Sequence, residues 1–117
     1  REYAPIDAVD HVSCRPDFTI LIYPAYLAGK GGSTLASDLH VTSTTPRSFL
    51  VQAEDDPVGV MNSIDYYMAL IQHKVPAEMH IYAKGGHGYG LRPSGNNIST
   101  WPARLKQWLQ SIGMVVR

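Results

Sequence analysis

"SFLVQAEDDPVGVMNSIDYYMALIQHKVPAEMHIYAKGGHGYG", residues 48–90, contains the whole logic of the fold. Residues 48–53 are a short apolar run, rich in β-branched and aromatic side chains and without alternation, as expected of a strand buried on both faces. Residues 62–74 place Ile64, Tyr67, Met68 and Ile71 at helical spacing, behind Asn62 or Ser63 as a cap. Residues 78–84 form a second strand-like run that alternates more, as at the edge of a sheet. Strand, helix and strand in that order predict two parallel strands joined by a right-handed crossover.

Working outward, residues 18–24, "FTILIYP", repeat the doubly buried strand pattern. Residues 99–113, "STWPARLKQWLQSIG", put Trp101, Leu105, Trp108, Leu109 and Ile112 on one helical face, with Ser99 or Thr100 as cap and Gly113 as stop. Residues 25–46 are rich in Gly, Ser, Thr and Ala and read as a long surface loop. The fold class is therefore α/β, with about three parallel strands and two main packing helices in a single domain spanning residues 1–117.

A length of 117 residues, 44% hydrophobic and 17% charged, suits one core and no more. Ten basic residues balance ten acidic ones, so neither nucleic acid nor an anionic membrane is a partner recognised by bulk charge. The lone Cys14 cannot form an internal disulfide and reads as a small buried apolar residue. His11, His40, His73 and His80 share no ligand spacing, and no metal or cofactor is expected. The sequence opens on polar, turn-like residues without Met, as the middle of a larger protein would.

Ligands of open parallel sheets gather at the carboxyl ends of the strands, where two suggestive loops lie. "AEDDP" follows the second strand and "GGHGYG" the third. With adjacent strands about 4.8 Å apart, a carboxylate from the first loop can reach the imidazole of His87 in the second. Such a carboxylate fixes the imidazole tautomer and stabilises the imidazolium formed when the ring accepts a proton. The glycines around His87 allow unusual backbone angles and close approach of a substrate, and Tyr89 beside it is a candidate lining of a substrate cleft.

The stretches "RPDFTILIYPAYL", "TPRSFLVQAEDDPVGVMNSIDYYMAL", "VPAEMHIYAKGGHGYGLR" and "STWPARLKQWL" together resemble the C-terminal part of α/β-hydrolase esterases, nearest the acetyl-xylan esterase and dienelactone-hydrolase-like branch. The resemblance covers nearly the whole chain. It implies a Ser-His-Asp triad acting on small carboxylic esters, among them acetylated carbohydrates. His87 matches the family's histidine. The family's acid commonly stands eight residues before a Ser that begins the next helix, which implies Asp55, given Ser63, with Asp56 as the alternative.

The family's nucleophile sits on a G-x-S-x-G elbow, and the sequence has no such pattern: "GGSTL" at residues 31–35 lacks the second glycine and a preceding strand. The resemblance implies that the serine and the oxyanion hole precede Arg1. The expected partners are thus a small ester substrate and either a missing N-terminal portion or a second copy, pairing at the open edge of the first strand.

Overall fold

Parallel strands need cover on both faces, and this chain supplies one helix for each. The computed structural model describes residues 3–31 and 33–116. In it β1 (Phe18–Ile22), β2 (Arg47–Ala53) and β3 (Ala77–Tyr82) form a sheet in the order β1-β2-β3, with both pairings parallel. The register sets Ile22 beside Val51 and Ala53 beside Tyr82, so the carboxyl ends of the strands share one rim.

β2 is central, and every residue after Arg47 is buried. Because successive strand side chains alternate between faces, Phe49, Val51 and Ala53 meet Ile98 and helix α2 (Trp101–Ser111) on one side. Leu50 meets Ala69 and Leu70 of helix α1 (Met61–Gln72) on the other. This double burial is what removed polar alternation from the run. β3 is an edge strand and is only half-buried, as its more alternating sequence suggests.

The expected face of α2 is the one that packs, with Trp101 and Trp108 buried and Leu105, Leu109 and Ile112 against the same cluster. Trp108 lies 5.9 Å from the ring of Phe18 and 5.6 Å from that of Phe49, so one indole ties α2 to both β1 and β2. Thr100 occupies the cap position, but its hydroxyl donates to the Asn97 carbonyl at 2.7 Å, within the short 3-10 turn Asn97–Thr100 that leads into the helix. Gly113 stops the helix at φ +76°, and the Met114 N–H reaches back to the Leu109 carbonyl.

The structure corrects the reading of α1. Its buried residues are Asn62, Ser63, Asp65, Ala69 and Leu70, while Met68 and Ile71 of the expected face are each 48% exposed. Small Ser63 and Ala69 let the helix axis come close to the sheet, and Met68 and Ile71 turn outward, while Tyr67 of the expected face still packs against the cluster around Leu50 and Leu70. Met61, Ile64 and Met68 instead line a cavity of about 720 Å³ with Leu35, Leu39 and Val41. Asn62 and Ser63 do not cap: Val60 is the cap residue, without a side-chain bond. The Asn62 amide holds the long loop, accepting the N–H groups of Leu27 and Ala28 and donating to the Gly59 carbonyl.

Residues 25–31 and 33–46 are accordingly held at particular points, by a bridge between Ala28 and Leu35 and by Val41, buried beside Leu50 and Leu70. Cys14 is exposed, which corrects the expectation of a buried thiol. No helix among the described residues is long and apolar enough to cross a membrane.

Trp108→Ala should destabilise the chain by about 3–5 kcal/mol, because it removes an aromatic shared by two strands and leaves a cavity. A drop in the urea midpoint, monitored by circular dichroism, checks this.

Candidate active site

The turn after β2 is tight: the Asp56 N–H donates to the Ala53 carbonyl and the Gly59 N–H to that of Asp56. It turns the Asp56 side chain inward until none of it is exposed. There Oδ1 accepts the Val58 N–H at 2.8 Å and Oδ2 accepts Nε2 of Gln52 at 2.9 Å. Burial works against the Asp56 charge, but the Gln52 amide, the His87 ring and the Val58 N–H outweigh it and hold the carboxyl below the ordinary carboxylate range.

Gln52 is itself fully buried in β2, on the α1 side of the sheet. Its Oε1 accepts the Ser63 hydroxyl at 2.6 Å. A buried polar pair such as this must be satisfied to be tolerated, and here each member orients the next. Ser63 aims Gln52, and Gln52 aims Asp56.

The loop after β3 brings the imidazole. At Gly85 a Cβ would fall 2.7 Å from Cδ1 of Ile98 and 3.2 Å from Cβ of Ala53, so the backbone passes where no side chain fits. Gly86 and Gly88 flank His87 in the left-handed region, at φ +63° and +73°, which glycine adopts without strain. His87 Nδ1 lies 3.1 Å from Oδ1 and 3.0 Å from Oδ2 of Asp56. A carboxylate only accepts, so Nδ1 carries the proton and donates it, which leaves the lone pair of the neutral ring on Nε2. The side chain is 34% exposed, and among the described residues no hydroxyl or thiol is bonded to Nε2.

The expectation that Asp55 is the partner of His87 is thereby corrected. The eight-residue count assumed that Ser63 begins the helix, yet α1 begins at Met61 and Ser63 turns into the sheet toward Gln52. Asp55 stays exposed, and its Oδ1 accepts the N–H groups of Gly85 at 2.9 Å and Gly86 at 2.8 Å.

Tyr89 lies near His87 but not against it. Its hydroxyl donates to the Val51 carbonyl at 3.2 Å, and burial holds its phenol far above the usual value, so it remains a donor. The ring touching the imidazole is Tyr23, 5.0 Å away and edge-on, with Tyr89 behind it at 4.9 Å. Tyr23 follows β1 in the left-handed region at φ +42°, its N–H bonded to the Val51 carbonyl. A non-glycine residue held there is strained, and such strain concentrates at functional sites.

No family model and no curated protein matches the chain. Solved structures do. An acetyl ester-xyloside bifunctional hydrolase from Caldicellulosiruptor lactoaceticus shares 33% identity at a TM-score of 0.80, over 93% of this chain and 47% of its own. A carboxylesterase from Lactobacillus plantarum shares 25% identity at 0.73, over 93% and 49%. A sugar hydrolase from Lactococcus lactis shares 26% at 0.67, over 92% and 51%. The chain is the C-terminal part of an α/β-hydrolase fold. It spans about half the length of the hydrolases that it matches.

Within this hydrolase fold, Asp56 and His87 stand at the carboxyl ends of two adjacent parallel strands, the position at which open sheets gather ligands. Gln52, Ser63 and Tyr23 were not singled out as site residues from sequence. The signal for Gln52 was present, since a glutamine inside "FLVQA" interrupts an otherwise apolar buried strand.

A carboxyl whose pKa is lowered by folding stabilises the fold above its unfolded value, about 4, and that stability is lost as pH falls through the folded value. Asp56→Asn should therefore flatten the loss of stability below about pH 4. Gln52→Leu removes the first of the donors that lower the pKa, brings the folded value toward the unfolded one, and should likewise shrink the loss of stability below about pH 4. Urea midpoints measured across acid pH check both.

Proposed function

We propose that the chain supplies the acid and base of a serine carboxylic ester hydrolase whose nucleophile lies outside these 117 residues. The observation that carries this reading is the bond from Nδ1 of His87 to the enclosed carboxylate of Asp56, which leaves Nε2 with its lone pair. The reading rests further on the esterases and hydrolases among the solved structures of the same fold.

In the proposed reaction the serine oxygen attacks the ester carbonyl carbon while Nε2 of His87 takes the serine proton. The tetrahedral intermediate collapses by breaking the bond to the alcohol, and His87 gives that proton to the departing oxygen. Water then attacks the acyl-serine and passes a proton to Nε2. Cleavage of the acyl bond returns that proton to the serine. Asp56 keeps the ring in one tautomer and stabilises the imidazolium at each stage. The 33% identity to an acetyl ester-xyloside hydrolase favours acetylated carbohydrate as substrate.

A second reading has its own observation. β1 pairs only with β2 among the described strands, and its five residues are all half-buried, so its outer edge offers hydrogen-bonding groups to another strand. The isolated chain would then self-associate, which light scattering would report as a concentration-dependent rise in mass. A monomer at every concentration overturns it.

The enzyme test uses the protein encoded by the whole reading frame around this sequence. It should label stoichiometrically with a fluorophosphonate and release acetate from acetylated xylo-oligosaccharide and p-nitrophenyl acetate. Asp56→Asn should lower kcat by about 10³ to 10⁴, and His87→Ala by at least as much. Undiminished hydrolysis by His87→Ala refutes the mechanism.

A further inference from the structure

We infer that Asp55 is a positioning residue for His87: its carboxylate anchors the glycine loop through two backbone N–H groups, and so sets the imidazole against Asp56. The inference rests on His87 and Asp56 being the proton-handling pair. It adds a separate duty for the neighbouring acid.

Oδ1 of Asp55 accepts from two consecutive N–H groups, those of Gly85 and Gly86. Consecutive N–H groups beside a left-handed residue form a concave nest with positive potential, which an anionic oxygen fills. Gly86 supplies that left-handed residue at φ +63°. The contact joins the turn after β2 to the loop after β3, the two segments that must be in register for the bond from His87 to Asp56.

Other ties hold the loop farther along. The Arg92 guanidinium donates to the Gly88 carbonyl, Nε1 of Trp101 to the Gly90 carbonyl at 2.9 Å, and the Tyr89 hydroxyl to the Val51 carbonyl. All of these lie after His87. On the side before it, the only hydrogen bonds of the loop's backbone among the described residues are the two that Gly85 and Gly86 donate to Asp55. Without them, Gly85 and Gly86, the last two of the four residues between the end of β3 at Tyr82 and His87, keep only the packing of Gly85 against Ile98 and Ala53, and the imidazole loses its polar entry constraint. Glycine at both positions makes the loop permissive, and Asp55 removes that freedom without a side chain on the loop itself.

What matters in this role is the acceptor oxygen, which sets the expectations for the variants. Asp55→Asn keeps an oxygen for both N–H groups, whereas Asp55→Ala removes it. The readout is the proton resonance of His87 Nδ1–H in the full 117-residue chain labelled with ¹⁵N, together with amide exchange at Gly85 and Gly86. In the wild-type chain and Asp55→Asn the resonance should be sharp and both glycine amides protected. In Asp55→Ala it should broaden through solvent exchange, while the remaining amide peaks hold their positions. A wild-type resonance in Asp55→Ala, or loss of the resonance in Asp55→Asn equal to that in Asp55→Ala, overturns the anchor. If Asp55→Ala fails to fold, exchange in the wild-type chain decides, because unprotected Gly85 and Gly86 amides also overturn it.

In the protein from the whole reading frame, Asp55→Ala should lower kcat about 10- to 100-fold through misplacement of the base, with KM changed less than about threefold. Asp55→Asn should recover most of that loss. If the wild-type protein hydrolyses no ester, the reading as an esterase fails by itself, and the resonance comparison still decides the role of Asp55. If esterase activity is normal and Asp55→Ala has wild-type kcat, the anchor fails and the esterase reading stands.

Discussion

A carboxylate enclosed by protein is stable only if donors replace the water it has lost, and the rim of this sheet is organised around meeting that need for Asp56. Val58 supplies a backbone N–H, Gln52 a side-chain amide and His87 a ring N–H. Three donors on one small group restrict its position closely. The imidazole is therefore oriented by an acceptor that cannot itself move.

That constraint reaches into the sheet. Gln52 can donate to Asp56 only because β2 is central and buried on both faces, with α1 near enough for Ser63 to take up the other end of the amide. Close approach of α1 depends in turn on Ser63 and Ala69 on its inner face. The larger Met68 and Ile71 are consequently turned outward. Packing of the helix and aim of the acid are thus one arrangement. On the opposite face Trp108, wedged against Phe18 and Phe49, keeps β1 and β2 together under their shared rim.

Much of this was legible from residue types alone. Unalternating apolar runs identified strands covered on both faces, because a strand with one wet face needs a polar residue at every second position. The two loops at the strand ends, and His87 within its glycines, followed from the order of the elements. The α2 face was readable because its apolar residues form one stripe. In α1 two stripes compete, and periodicity cannot say which faces the sheet when the inner one is built from Ser and Ala. Exposed Cys14 escaped for a related reason: burial statistics describe a residue type, whereas exposure depends on what packs over one segment.

The sequence by itself determined that this is a parallel α/β chain with an acidic loop and a histidine loop at the same rim, since local pattern and element order suffice for both. Only the tertiary structure decided which of Asp55 and Asp56 bonds to His87. Neighbours in a turn share almost every sequence property, and they differ in the direction their side chains leave the backbone. One points to the loop's N–H groups and the other into the protein, where Gln52 and His87 wait for it. That direction follows from the turn closed between Ala53 and Gly59, from Gln52 of β2, and from donors brought in by the loop after β3. Such information lies in three-dimensional packing and not in any local run of residues.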